Sequence, residues 1–335
     1  MNGHVVRPFS SSAVVTTRGC STLLERRYTD FGADDSFGKV PEKLKEHYGI
    51  ILPIHLPRTI TEKHAHHINE LETLRTEFPD HGAAVIIAET DGSMIPIVTI
   101  APQESPDDSA DGRKRRNLSW KEARLSLAHP QGSITPTFNA TMDGPEEAGD
   151  QLLDCVIRAG GGTNSTVHCV GDGAPWIANQ VNRVFAEQGS YLIDFMHLTG
   201  YLAAAAPRCG GNAYSIWLTQ QKELMLTGRV AEVLANLDPH CEPEEIPDKD
   251  APVRGCHRYL TNRPKQFDYQ GTMAADLPIG SGEIESAHRY IIQKRLKLAG
   301  AWWDRANAHA MLALRTLRAN GGWDDYWVER VKNAA

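Results

Sequence analysis

The sequence predicts an α/β protein with a mixed sheet flanked by helices. Three extended segments precede a helix, and strand and helix then alternate to about residue 206. Residues 207 to about 278 lose the strand signal, so that block reads as a helical insertion into the sheet domain. At 335 residues and 41% hydrophobic content, the chain has room for two domains, or for one domain with a large insertion.

Charge and cysteine usage narrow the classes. A net charge of −7 excludes a whole-protein field that recruits nucleic acid, so any such role rests on local basic clusters. Arg113, Lys114, Arg115 and Arg116 form one, and the tract from Lys294 and Arg295 forms another. The six cysteines are scattered without a CxxC pair, which predicts reduced thiols in a cytosolic compartment. No apolar leader and no run of membrane-spanning length is found, so a soluble intracellular protein is expected.

Residues 1–35 read as a poorly ordered lead-in, and residues 36–80 as a helical region. Phe37, Val40, Leu44 and Tyr48 recur at helical spacing, and Gly49 ends the run. A second helix is expected from about Leu56 to Leu74, with Ile60, Ala65, Ile68 and Leu71 inward. The pair reads as a helix-turn-helix, with Arg58, Thr59, Thr61 and Lys63 facing DNA, or as an ordinary helical hairpin. Next, Ala84–Glu89 reads as a buried strand, Asp91-Gly92 as a tight hairpin turn and Met94–Ile100 as the returning strand. Trp120–Leu127 alternates like a third strand, Ile134–Met142 is extended, and Pro145–Arg158 is helical. Thr166–Val170 and Ser190–Ile193 are further strands, each leading into a helix. Within the insertion, Tyr214–Leu226, Val230–Leu237 and Arg254–Arg263 look helical. Asp304–Asn320 adds a late helix before the aromatic close at Trp327.

Acids stand where this pattern turns. Asp91 ends the first strand, Gly171-Asp172-Gly173 caps a later one, and Gly280-Ser281-Gly282 leads into a helix that opens with Glu283 and Glu285. Carboxylates converging from such ends can hold two divalent cations against a phosphodiester, because Mg²⁺ prefers hard oxygen ligands. Each acid also has a plain structural reading, as a turn residue or as a complement to a helix dipole. Ile284, Ala287 and Ile291 point inward, so both glutamates flank the buried face and helical geometry does not choose between them.

The segments Asp91-Gly92, Val170–Trp176, Asp194-Phe-Met-His197 and Leu277–Ser286 together resemble DDE transposases of bacterial insertion sequences, most of all the ISKra4 family. Arg295-Leu-Lys, Trp303 and Gly322–Trp327 extend the likeness, which runs from about Leu24 to Trp327. The resemblance implies a ribonuclease H-like catalytic core at 81–206 and 279–335, interrupted by the all-helical insertion at 207–278 before the last acid. It implies Asp91, Asp172 and Glu285 as a catalytic, metal-binding triad holding two Mg²⁺ (or Mn²⁺) ions; the choice of Glu285 over Glu283 rests on it. Asp194 and His197 match an accessory element, although Asp194 also reads as a helix N-cap and His197 as a packed helix residue. The implied partners are terminal inverted repeats, target DNA and further copies of the chain on DNA, in a bacterial cytoplasm and on its nucleoid. The likeness departs at Met1–Gly19, where more ordered sequence is expected, as in a truncated copy or one with a displaced start.

Other clusters have plainer readings. His240-Cys241 with Cys256-His257 could ligate zinc, but adjacent ligands suit one tetrahedral ion poorly. His64, His66 and His67 read as a solvated helix face. Arg113–Arg116 and Lys294 suit contact with a DNA backbone, and Trp302 or Trp303 suits stacking on an exposed base. The expectation is a DNA transposase that cuts at terminal repeats and joins the freed 3′ end to target DNA. Two rivals are a nuclease on the same core that only hydrolyses, and a decayed transposase kept as a DNA-binding protein.

Overall fold

The structure is a computed structural model that describes residues 20–51, 53, 55–100 and 116–332. Its first element corrects the expected lead-in. Thr22–Asp34 forms helix α1, with Ser21 Oγ accepting from Leu24 N–H at 3.3 Å. Leu24, Tyr28 and Phe31 recur at helical spacing and pack with Val40, Leu44 and Ile60, and this burial outweighs the segment's polar composition. The remainder of the lead-in, residues 1–19, lies outside the described residues.

Helix α2 (Val40–Tyr48) ends at Gly49, which adopts a left-handed φ of 67° as its C-cap. Helix α3 (Leu56–Leu71) stops short of Leu74. These helices share a core with the sheet: Ala33, Ala65 and Ile68 belong to the same buried cluster as Ile95 and Leu125. A buried Arg315 fastens them further, donating to the carbonyls of Ala33, Tyr290 and Ile291 and, at 2.9 Å, to Asp34 Oδ1.

Among the described residues the sheet has five strands in the order β3-β2-β1-β4-β5. Strands β1 (Val85–Ile100), β2 (Arg116–Pro130) and β3 (Thr137–Thr141) are antiparallel neighbours. Strands β4 (Thr166–Gly171) and β5 (Gly189–Ile193) continue from β1 in parallel. Here the hairpin expected at Asp91-Gly92 is absent. β1 runs unbroken for 16 residues, and Gly92 pairs with Arg124. The glycine answers a close approach, since a Cβ there would fall 2.1 Å from Glu122 Oε1. The third strand is accordingly the stretch after Ile134, and the alternating Trp120–Leu127 run is the partner of β1.

Helices α4 (Pro145–Arg158) and α5 (Pro175–Phe185) cover one sheet face, with Leu152, Val156, Ile177 and Val181 against Ile86, Ala88 and Val167. The other face lies under α11 (Gly282–Ala287), its π-helical continuation His288–Gln293, α12 (Lys294–Leu296) and α13 (Arg305–Ala319). Ile284, Ala287 and Ile291 are buried there, as the spacing predicts. Helix α14 (Trp323–Lys332) closes the chain against α1, with Tyr326 and Trp327 buried. Between the last strand and α11, α6 (Phe195–Gly210), α7 (Tyr214–Leu226), α8 (Val230–Leu237), α9 (Pro252–Thr261) and α10 (Tyr269–Ala274) form the helical block. Its apolar core (Val233, Leu237, Leu260, Tyr269) runs on into Leu192 and Ile193 of β5. All six cysteines are free thiols. Among the described residues no helix is long and apolar enough to cross a membrane.

Candidate functional site

The carboxyl ends of the parallel strands set the site. In the β1–β4 register the last pair is Glu89 with Val170, and Asp91 and Asp172 each lie two residues beyond it. In the β4–β5 register the last pair is Gly171 with Ile193, and Asp172 and Asp194 come next, the Asp194 N–H donating to Gly171 O at 2.7 Å. Strand pairing thus brings three aspartates from distant parts of the sequence to the region where the parallel ladder ends.

Asp172 sits in a turn held from several sides. Gly173 has a φ of +84°, and its N–H donates to the Tyr191 hydroxyl at 2.9 Å. Asp172 Oδ1 accepts from Ala174 N–H at 2.8 Å, an Asx arrangement that starts α5. From the insertion, the Tyr259 hydroxyl donates to Asp172 O at 2.8 Å and Arg263 Nε to Gly173 O at 2.7 Å. Tyr259 is itself stacked on Tyr201, with centroids 4.0 Å apart. The helical block therefore fixes the backbone of a site acid.

Glu285 arrives from the opposite layer. Asp194 Oδ2 accepts from both the backbone N–H and, at 2.8 Å, the hydroxyl of Ser281, while its Oδ1 accepts from His197 N–H at 2.7 Å. Asp194 thus caps α6 and pins the Gly280-Ser281-Gly282 turn. Glu89, 2% exposed, accepts from Ile284 N–H at 2.7 Å and anchors the first turn of α11. Burial pushes the Glu89 carboxyl up to about 8; the Ile284 N–H opposes this, and Glu283, Asp194 and Glu285 add repulsion. Held this way, Glu285 is exposed and lines an open cleft of about 270 Å³ with Asp91, Gly92, Ser93, His288, Arg289 and Gln293. Glu283 is turned toward His129 on β2, 3.1 Å away.

The cleft also contains an orphan. His288 is 4% exposed, and its Nε2 lies 3.2 Å from Asp91 Oδ2 without hydrogen-bond alignment, so among the described residues neither ring nitrogen is hydrogen-bonded. Its place at the head of a π-helical segment fits the tendency of such segments to mark functional sites.

Asp91 and Glu285 thus share the cleft, and Asp172 stands in the turn after β4, outside the residues that line it. Among the described residues no three acid, histidine or cysteine side chains meet closely enough to hold an ion as they stand. In chemistry the donor set fits: hard carboxylate oxygens, with no Lys or Arg within ion-pair distance of Asp91, Asp172 or Glu285 among the described residues. His197 is exposed, packed loosely against Tyr201 and Tyr259.

The expected DNA-facing residues separate into groups. Thr61 is buried, donates to Tyr28 O at 3.2 Å and packs on Gly32, so it faces no ligand. Arg58 and Thr59 are exposed, Arg58 beside Glu62 at 3.0 Å; Lys63 is also exposed in its side chain and meets Glu25 at 3.0 Å. Lys294 is exposed, 3.6 Å from Asp34. Trp303 is 4% exposed and bridges to Ile97 of β1, so it is a core residue. Arg295 is 2% exposed and lines a recessed, partly open pocket. Arg116 is exposed at the start of β2, and Arg113, Lys114 and Arg115 lie outside the described residues. The three histidines of α3 do not form a solvated face: His64 is buried between Glu25 and Tyr326, and His66 meets Asn307.

Sequence reasoning missed Glu89, His288, Tyr259 and Arg263. A lone acid closing an apolar strand was a readable signal for Glu89. Tyr259 and Arg263 gave none, because their contact spans nearly ninety positions of chain. Comparison with models of known protein families and with curated proteins finds no match to this chain.

Proposed function

We propose that this protein is a DDE-type DNA transposase on a ribonuclease H-like core, cutting at the ends of a mobile element and joining them to target DNA. The observation that carries the reading is that Asp91 and Asp172 each follow the last pair of the parallel β1–β4 ladder by two residues, with Glu285 opening onto the same cleft as Asp91. The strand order, three antiparallel strands continued by two parallel ones, supports the ribonuclease H-like assignment.

Asp91, Asp172 and Glu285 would hold two Mg²⁺ or Mn²⁺ ions. Such ions supply an activated water and stabilise the attacking and leaving oxygens of an in-line displacement. The chain's own residues do the positioning. Tyr191, Tyr259 and Arg263 fix the turn that presents Asp172. Glu89 and Asp194 fix the turn that presents Glu285. Arg289 on the cleft wall and the exposed Arg58, Lys63, Lys294 and Arg116 are placed to meet backbone phosphates, with two or more copies gripping the paired ends.

The test uses DNA carrying the sequences that flank this reading frame, with a pre-cut end as one substrate. Wild-type protein with Mg²⁺ should nick and then transfer the 3′ end, and Asp172→Asn of equal stability should do neither. Hydrolysis without transfer would select the nuclease reading. Intact cleavage by Asp172→Asn would remove the proposal.

A further inference from the structure

Two buried arginines in this fold are treated differently. Arg315 has every direction of its guanidinium answered, by three carbonyls and Asp34. Among the described residues Arg295, only 2% exposed, makes one hydrogen bond, Nε to Gly32 O at 2.8 Å, and its buried Nη2 meets no acceptor. Its guanidinium is held between Phe37 and Trp303, 4.5 and 4.7 Å from their ring centres. Stacking of this kind orients a cation but leaves its N–H groups free. An unanswered buried donor on a charged group costs folding free energy unless something else supplies the acceptor.

Arg295 lines a cavity of about 230 Å³ although its Nη2 is itself buried. Two acids on its wall are already engaged: Glu62 with Arg58 and Asn307, and Asp304 as the N-cap of α13. At its mouth stands Trp302, 40% exposed and paired with the 55% exposed Trp120, ring centres 6.2 Å apart. Trp302 is held in place by its neighbour, because Trp303 exchanges backbone hydrogen bonds with Pro96 and Val98 of β1. A stacking surface is therefore fixed beside a recessed, unpaired guanidinium. That combination suits an unpaired nucleotide, with the base on the aromatic face and the phosphate on the cation.

We infer that the Arg295 pocket takes a nucleotide of a single DNA strand, its phosphate on Arg295 and its base on Trp302. The inference rests on the DNA-processing reading above and adds where an unpaired strand is gripped. Ten residues of helix separate Glu285 from Arg295, and because six of them are π-helical the separation is less than the roughly 15 Å of an α-helix. At about 3.4 Å per stacked nucleotide, this sets the grip no more than roughly four nucleotides from Glu285.

The test is anisotropy of a fluorescein-labelled twelve-nucleotide oligothymidine in EDTA, with a blunt duplex of the same length beside it and urea melts to verify folding. Trp302→Ala should weaken oligothymidine binding at least about fivefold, and Trp302→Phe should stay near wild type. Arg295→Lys, which keeps the charge but loses the planar fork, should weaken it as well. Duplex binding should stay within about twofold. Oligothymidine binding that survives Trp302→Ala and Arg295→Lys in folded proteins overturns the inference, as does an equal loss on duplex. Asp172→Asn should bind the oligonucleotide like wild type, so the two proposals fail separately. A Trp302-dependent grip without cleavage leaves the pocket standing and removes the transposase reading; cleavage without that grip does the reverse.

Discussion

The N-terminal helices and the carboxyl edge of the sheet handle charge in opposite ways. Around α1 and α3 the cations meet acids: Lys63 and His64 with Glu25, Arg58 with Glu62, Arg318 with Asp30, Arg315 with Asp34. At the sheet edge acids collect instead, with Glu89, Asp91, Asp172, Asp194, Glu283 and Glu285 in one neighbourhood and only His288 and His129 within ion-pair distance among the described residues. Paired charge fastens one element to another. Like charge gathered without a cation is a standing cost, and folds keep such costs where function needs them.

Neutralising the edge acids gives the largest expected effect. Asp91→Asn, Asp172→Asn or Glu285→Gln should each lower strand cleavage at least about a thousandfold, since metal stabilisation of the transition state is worth several kcal/mol. In EDTA the same variants should unfold at equal or higher urea, because repulsion has been relieved. A clear loss of stability would make the acids structural and erase the contrast. At the other pole, Arg315→Met should cost about 3 kcal/mol in urea unfolding, the low end for breaking a buried pair because Asp34 is one-third exposed.

The paired region should also be the acid-labile one. Burial holds His64 below its ordinary 6.5 despite its hydrogen bond to Glu25, so the folded chain keeps it neutral. Glu25 lies below its ordinary 4.5: hydrogen bonds from His64 and Lys63 outweigh the burial that would raise it. The unfolded chain then binds more protons as pH falls, first through about 6.5 for His64 and then through about 4.5 for Glu25, and stability is lost across both windows. Thermal melting of wild type against His64→Gln from pH 7.5 to 4 should show this contribution: the variant loses less stability between about 6.5 and 4.5, where the buried His168 and the half-buried His309 still act in both proteins. A His64→Gln profile that coincides with the wild-type profile from pH 7 to 5 would contradict the assignment.

Smaller effects sharpen the contrast. Glu283→Gln should change cleavage by less than about fivefold, since its half-exposed contact with His129 is worth no more than about 1 kcal/mol. A loss as large as that of Glu285→Gln would exchange their roles. Arg58→Ala should alter stability by about 0.5 kcal/mol or less and lower the salt slope of DNA binding by about one if Arg58 meets a phosphate.

Much of this was legible where the cause is local. The insertion helices α7 and α8 fall where periodicity puts them, and the Gly171-Asp172-Gly173 turn ends its strand as composition suggests. Asp91-Gly92 misleads because a turn-forming pair and a glycine beneath a neighbouring carboxylate look alike until the partner strand is known. Thr61 and Trp303 looked like contact residues and proved internal, because what buries them comes from distant segments: α1 for one, β1 for the other. For the site, strand ends and turns marked Asp91 and Asp172 as candidates without choosing function over turn chemistry, the resemblance named them with Glu285, and strand pairing shows that both aspartates follow the last β1–β4 pair.

The central claim is that the acid edge is organised to hold divalent cations. Mn²⁺ binding to the purified, metal-free chain at pH 7.5, followed by electron paramagnetic resonance, tests it most directly. The account predicts saturable binding that Asp172→Asn and Glu285→Gln each weaken at least tenfold and that Glu283→Gln leaves within about threefold, consistent with carboxylates as the hard ligands. Mn²⁺ binding equal in wild type and Asp172→Asn, with both proteins folded, would contradict it.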